Sequence, residues 1–406
     1  MSANDMSSDL PLDTSSAVPP LDDESIAPPA ATGGGPVGVP PGWTPSAGVP
    51  QRALTQKPRW PHPNFWWSIL WCLLFLFVTQ IPGGVIAVVI ALALPAVAPE
   101  QFPNGPLSSP AGLLKSDAMS VGLAVGIGIT EILVVGFSLL VIRLVVGRDW
   151  MRQLALRPPG AAHTLLAVAS LPAMMLLGNV AYNVLRKVLH LPSLSDFGFG
   201  GMEEMVEVAS KWPSAFAVLV IGLGPGIGEE LWCRGFLGRG LVGTYGAVIG
   251  VIATSFFFGL IHMDPCQGTM AMLMGLWLHF VYLTSRSLWL PMLLHFINNS
   301  LGVLESKIPL LARLDDKPSS IPAIVYVTAV LLLAAVAYAL YQSRTRLEPE
   351  GPQQPLLWRP AYPGVEYPPP DSGARMAHPA LSLPALVTSL GGFLLFVAAC
   401  VLWVRG

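Results

Sequence analysis

The sequence has little charge, and this shortage excludes most soluble classes of protein. Only 11% of its 406 residues are charged, whereas 53% are hydrophobic. Because soluble domains carry about 25% charged residues, the composition predicts a protein that lies in a lipid bilayer. The formal net charge is −2, and the chain has no basic stripe, so we expect no nucleic-acid partner.

Paired cysteines are also missing. Cys72, Cys233, Cys266 and Cys400 are scattered along the chain with no Cys-x-x-Cys spacing. Most of them stand in apolar runs, where a cysteine usually behaves as a small hydrophobic residue. This pattern excludes a disulfide framework and a zinc knuckle. The His-Glu-x-x-His pair of many zinc proteases is absent as well.

Two segments lack the long apolar runs of the remainder. The first 62 residues are rich in Pro, Gly and Ala, and such a segment buries too little apolar surface to fold. Residues 344–379 form a second Pro-rich stretch. The predicted organisation is a disordered tail over 1–62, a transmembrane bundle over 63–343, a Pro-rich linker over 344–379 and a C-terminal transmembrane helix over 380–406.

Long apolar runs make up the rest of the chain. A bilayer core of about 30 Å requires about 20 apolar helical residues. Runs of this kind cover 66–96, 119–146, 163–185, 213–240, 244–263, 268–284, 288–304, 322–341 and 381–403. The predicted fold class is therefore an all-α, polytopic transmembrane helical bundle of eight or nine spans.

The basic residues predict the orientation of these spans. In a nine-span arrangement most of the arginines and lysines that flank the spans fall on one side of the membrane. They are Arg52, Lys57, Arg59, Arg143, Arg148, Arg152, Arg157, Arg239, Arg286, Arg344 and Arg346. Because cytoplasmic loops are enriched in Lys and Arg, we expect a multi-pass membrane protein with a cytoplasmic N-terminus. The expected location is a bacterial cell membrane. Arg186 and Lys187 run against this trend.

Ionisable residues inside the spans are candidates for function, since each costs at least ~2.5–3.5 kcal/mol at bilayer depth. In "GLGPGIGEELWCRGFLGRG", Glu230 and Arg234 have the i,i+4 spacing of an intrahelical ion pair. Glu229 points about 100° away from Glu230. One turn back on its own face lie Pro225 and Gly226, so we expect open space there that a water can occupy.

Two later spans carry further polar pairs. His262 follows Phe258 by one turn, and His295 shares a helix face with Asn299. Taken singly, each group has a structural explanation, such as hydrogen bonding between membrane helices. Measured along the helices from the same membrane face, the heights of these groups allow them to meet Glu229 inside the bilayer. One shared site is the simplest explanation of all three segments.

In this order the residues resemble the three motifs of the CPBP intramembrane proteases, the type II CAAX prenyl endopeptidases and their bacteriocin-processing and immunity relatives. The motifs are Glu229-Glu230-x-x-x-Arg234, Phe258-x-x-x-His262 and His295-x-x-x-Asn299. The resemblance covers about 210–305. It departs from the family at Cys233, a position that is often aromatic. Glu131 and His279 match no motif and receive no role.

The resemblance implies an intramembrane endopeptidase that acts on a membrane-associated peptide or protein. Glu229, with His262, would activate the attacking water, and His295 and Asn299 would donate hydrogen bonds to the oxyanion. The supporting residues of the site would be Glu230, Arg234 and Phe258.

Alternatives remain open for the cofactor and for the function. Glu229, His262 and His295 could hold zinc with an open position. Once Glu229 is a ligand, however, no carboxylate is evidently free to act as the base, so chemistry without a cofactor is preferred. An ion-coupled transporter is a second reading, because "GLGPGIG" is similar to the interrupted helices of such proteins, although no internal repeat supports it. A catalytically silent membrane scaffold or regulator is the third.

Overall fold

The structure is a computed structural model. It describes residues 63–102, 116–188, 190–191, 202–307, 321–351, 358, 360, 366–370 and 372–405. The tail predicted over 1–62 lies outside the described residues, as do parts of the segment predicted as a linker.

The described chain is predominantly helical, which confirms the all-α class. The α-helices are α1 (Phe65–Val97), α2 (Asp117–Val145), α3 (Trp150–Gln153), α4 (Ala161–Asn183), α5 (Met202–Ser210), α6 (Ser214–Ala217), α7 (Gly224–Glu230), α8 (Gly238–Leu260), α9 (Pro265–Ser285), α10 (Trp289–Leu304), α11 (Ala323–Gln342) and α12 (Leu383–Arg405). The π-helical segments are Val184–Val188 after α4, Val218–Leu223 between α6 and α7, and Leu231–Leu237 between α7 and α8. A 3-10 turn, Glu305–Lys307, follows α10, and β1 (Arg346–Pro349) pairs antiparallel with β2 (Ala374–Ala377).

Seven described helical stretches are long and apolar enough to cross a membrane, and one of them runs over 47 residues, Ser214–Leu260. This stretch is not straight, because Gly246 has φ 78° and ψ 174°. The α-carbon of Gly250 also lies against the backbone of Val242. Eight residues would separate these positions by about 12 Å in a continuous helix, so the chain folds back at Gly246. Counting both arms and the 16-residue α10 gives nine crossings, in agreement with the predicted number.

Helix α7 is held by close packing against two neighbours. A Cβ on Gly228 would collide with Val134 of α2, and a Cβ on Gly226 would lie 3.0 Å from the backbone nitrogen of Phe296 in α10. The Ser138 hydroxyl of α2 donates to the Gly228 carbonyl at 3.3 Å. Small residues allow membrane helices to approach this closely. The glycines of "GLGPGIG" therefore fix the position of the glutamates that follow them.

Several of the described basic residues lie at one end of the bundle. Arg157 donates to the Arg286 carbonyl at 2.6 Å, and the backbone N–H of Thr345 donates to the Thr284 carbonyl at 2.9 Å. These contacts join the loop after α3 to the loop after α9, and the chain after α11 to the end of α9. We call this face, which includes Arg157, Arg286 and Thr345, the basic end. Its cytoplasmic location stays a prediction.

The segment predicted as a Pro-rich linker packs on the basic end where it is described. Glu366 forms an ion pair with Arg239, and the guanidinium of Arg157 lies 3.5 Å from the centre of the Tyr367 ring. Strands β1 and β2 flank these contacts. The described part of this segment is thus a docked element with its own small sheet, which the proline content did not predict.

Candidate active site

The ion pair predicted within one turn is present. Glu230 Oε1 lies 2.6 Å from Nη1 of Arg234, and both side chains are fully buried. Arg234 also donates from Nη2 to the Gly275 carbonyl at 3.1 Å. Its guanidinium carbon lies 4.6 Å from the centre of the Phe258 ring. Since a buried charge is stable only when it is paired, these contacts connect the π segment after α7 to α8 and α9.

His295 joins the two glutamates. Its Nδ1 lies 2.9 Å from Glu230 Oε1, and its Nε2 lies 3.9 Å from Glu229 Oε2. The same Glu230 oxygen accepts a hydrogen bond from Arg234, so we take this carboxylate as ionised and Nδ1 of His295 as the donor. This bond turns Nε2 of His295 toward Glu229. Helical spacing had predicted the partner of Glu230 on its own helix, but it carries no information about a residue on α10.

Phe258 and His262 form the second wall of the site. His262 Nδ1 lies 2.8 Å from the Phe258 carbonyl oxygen, and a carbonyl oxygen only accepts hydrogen bonds. Nδ1 therefore carries the hydrogen, and Nε2 keeps a free lone pair. The Phe258 ring meets both imidazoles edge-on, with ring centres 5.2 Å apart for His262 and 5.8 Å for His295. The predicted contact between Phe258 and His262 is thus present, together with a second contact to the third motif.

Asn299 ties α10 to the stretch that precedes the glutamates. Its Nδ2 donates to the Ile221 carbonyl at 3.2 Å, and Ile221 lies in the π segment Val218–Leu223. Its Oδ1 accepts from Asn298 at 3.1 Å. Both polar residues of the third motif, His295 and Asn299, therefore face the glutamate-bearing stretch. Short π segments occur frequently at functional sites.

The open space expected beside Glu229 is not found at Gly226, and that prediction is wrong. Pro225 and Gly226 are buried, and Phe296 of α10 occupies the space that a Cβ on Gly226 would need. Glycine serves close helix approach here instead of leaving a void. Glu229 nevertheless keeps 20% of its side chain exposed, whereas Glu230 is fully buried. Oε2 of Glu229 has no hydrogen-bond partner among the described residues.

Two ionisable residues outside the motifs also lie in this region. Glu131 of α2 packs against Gly224 at the start of α7. His279 of α9 is 1% exposed, and its ring lies against Gly238. The sequence identified both as polar residues at membrane depth without a role. The structure places Glu131 near the candidate general base.

A zinc set made of Glu229, His262 and His295 would require three ligand atoms about 2 Å from one point. Within the part of the chain that the structure describes, no three His, Cys, Asp or Glu side chains converge in this way. Nδ1 of His295 lies against Glu230 and Nδ1 of His262 against a backbone carbonyl, so only the Nε2 atoms of these rings could be metal ligands. As arranged, the three side chains do not converge on one point as a three-ligand zinc site requires.

One comparison with known proteins bears on this site. Residues 211–301 match the family model described as Type II CAAX prenyl endopeptidase Rce1-like. The matched segment contains every motif residue named above, and it confirms the resemblance to the CPBP proteases. At the level of the family, the match supports an intramembrane protease of the CAAX type. No curated protein and no solved structure matches the chain.

Proposed function

We propose that this protein is an intramembrane endopeptidase that hydrolyses a peptide bond near the end, or in the juxtamembrane segment, of a membrane-associated peptide or protein. One observation carries the proposal. His295 contacts Glu230 at 2.9 Å and approaches Glu229 to 3.9 Å, which brings the first and third motifs to one point. Phe258 adds the second motif through its contact with the His295 ring. Three apolar segments thus supply one polar site.

Glu229 is the proposed general base. Its carboxylate is partly exposed and has an oxygen without a partner, so it is free to accept a proton from a water. The water oxygen attacks the scissile carbonyl carbon, the proton moves to Glu229, and Glu229 later delivers it to the leaving amine. A base in this role contributes about 10²–10⁴-fold. The free Nε2 lone pair of His262 offers a second acceptor for the same water.

The oxyanion is proposed to be bound by α10. Asn299 uses one amide hydrogen on the Ile221 carbonyl and has a second one for substrate. Since Nδ1 of His295 donates to Glu230, its Nε2 donates only when the ring carries a second proton. Loss of one such donor typically lowers the rate by about 10²–10³.

We propose that catalysis needs no metal ion. The support is that Glu230 is paired with Arg234, so Glu229 is the motif carboxylate left to act as the base and would lose that role as a metal ligand. The proposed setting is a bacterial cell membrane, with the basic end and the N-terminus on the cytoplasmic side. Peptide substrates would then enter from that side or from the bilayer.

The test is cleavage of a membrane-peptide library by the purified protein in detergent. Wild type is compared with Glu229→Gln and with Asp149→Asn, an exposed control at the basic end. We expect cleavage that is lost in Glu229→Gln, retained in Asp149→Asn and insensitive to a metal chelator. Activity that disappears with the chelator and returns with zinc would contradict the metal-free proposal. Equal cleavage by wild type and Glu229→Gln would contradict the role of Glu229.

A further inference from the structure

A pocket of about 360 Å³ lies at the basic end, away from the glutamates. It opens where α9 ends and where the chain leaves α11 to enter β1. Three arginines line it, Arg286, Arg344 and Arg346, together with apolar side chains that include Leu283 and Leu347. No acidic side chain of the described residues lines the pocket. The pocket therefore combines three positive charges with an apolar wall.

None of these arginines is neutralised by a carboxylate in the part of the chain that the structure describes. Arg344 donates to the Tyr341 carbonyl at 2.7 Å and lies 4.0 Å from the centre of the Tyr341 ring. Arg286 donates to the Glu366 backbone carbonyl at 3.4 Å, and its buried Nε has no partner. Arg346 is exposed in β1. The donors and the charge of the pocket are thus available to an anion.

The electrostatics agree with this reading. Burial lowers the pKa of Arg286 to about 10. Burial, followed by the nearby charge of Arg286, lowers the pKa of Arg157 to about 10. The contribution of Arg286 to the lowered pKa of Arg157 is the one expected where positive charges gather, and a bound anion would oppose it.

We propose that this pocket binds the phosphate of an anionic phospholipid headgroup. The arginines supply the charge and donors that phosphate recognition requires. Ala247 also lines the pocket, and the two residues that follow it in α8, Val248 and Ile249, are 74% and 61% exposed, so apolar surface for acyl chains lies next to the pocket in the chain. A pocket between span ends at the membrane surface suits a lipid better than a soluble anion. The inference does not depend on the protease assignment.

The test uses the full chain purified in detergent. Thermal unfolding is measured with added dioleoyl phosphatidylglycerol, with dioleoyl phosphatidylcholine and with inorganic phosphate. Native mass spectrometry counts the lipid that stays bound. The pocket variant is Arg344→Gln/Arg346→Gln. The matched control is Arg143→Gln/Arg148→Gln, which removes two exposed arginines at the same end that do not line the pocket.

We expect the anionic lipid, but not phosphatidylcholine, to raise the unfolding temperature and to remain bound. At about fivefold per arginine, the pocket variant should bind the anionic lipid about 30-fold more weakly, and the control should bind like wild type. Arg344→Lys/Arg346→Lys, which keeps the charge, should retain most of the affinity. Equal binding of both lipids, or equal loss in pocket and control variants, would overturn the proposal. Inorganic phosphate that reproduces the whole effect would overturn the lipid as its source.

Discussion

Substitution by glutamine should affect the stability of the protein at Glu230 but not at Glu229. Glu230 is fully buried, and one of its oxygens accepts hydrogen bonds from both Arg234 and His295. Removal of one partner of a buried pair costs about 3–5 kcal/mol because the other charge stays buried and uncompensated. Glu230→Gln should therefore destabilise the protein by about this amount. It should also lower activity, because His295 loses its acceptor.

Glu229→Gln should leave stability within about 1 kcal/mol of wild type. The Glu229 side chain is partly exposed, and its Oε2 has no hydrogen-bond partner among the described residues. Substitutions at such positions rarely change the free energy of unfolding by more than a few tenths of a kcal/mol. Its activity should fall by about 10²–10⁴-fold.

Thermal unfolding in detergent measures the first effect, with a thiol-reactive dye that reports exposure of the buried Cys72, Cys233 and Cys266. The matched control is Glu230→Gln/Arg234→Met. It removes both charges and should recover most of the lost stability while it stays inactive. Equal destabilisation by Glu229→Gln and Glu230→Gln would refute the division of roles, and so would a fully stable Glu230→Gln.

Three further predictions test the surroundings of the site. Gly226→Ala should destabilise by about 1–3 kcal/mol, since its Cβ meets the backbone of α10, whereas Gly136→Ala, with nothing within 4 Å, should be neutral or slightly stabilising in the same unfolding assay. Asn299→Ala should lower kcat by about 10²–10³ and lower the unfolding temperature slightly through loss of the bond to the Ile221 carbonyl, and a change in KM alone would argue against an oxyanion donor. Arg234→Lys keeps the charge but not the planar pair of donors that reaches Glu230 and Gly275. It should therefore unfold at a lower temperature than wild type, and an unchanged temperature would show that charge alone suffices.

The local features of the site were predictable from spacing. An i,i+4 interval gave the Glu230–Arg234 pair, and the same interval gave the contact between Phe258 and His262. The apolar runs gave nine crossings, because the length of a run and the thickness of a bilayer are directly related. In each case, the relevant physics acts within one helix.

Contacts between helices were not predictable in the same way. Nothing in the sequence relates Glu230 to His295, since that contact depends on how α7 and α10 pack. The packing also reversed the interpretation of Gly226. From the sequence, a glycine beside a carboxylate suggests space, but the space left by a missing side chain is available to any neighbouring helix, and Phe296 fills it.

The segment around Glu366 and Tyr367 shows a different limit. Proline content predicts an extended chain but does not predict what that chain contacts. The carboxylate of Glu366 meets Arg239, and the ring of Tyr367 meets Arg157. Arg239 and Arg157 were both predicted to lie at one end of the bundle. No spacing in the sequence relates them to Glu366 and Tyr367, which are more than 100 residues away.

The glycine-lined packing of α7 has a consequence for substrate selection. Because Gly226 and Gly228 lie directly against α10 and α2, α7 has no room to slide along its neighbours. Glu229 precedes the reversal at Gly246 by a helical length of about 25 Å, so its depth below the membrane surface is constant. In a protease built this way, the fixed depth of the site would select the bond to be cut by its distance from the membrane surface. For the proposed protease, this predicts cleavage at the bond whose distance from the membrane surface matches that depth.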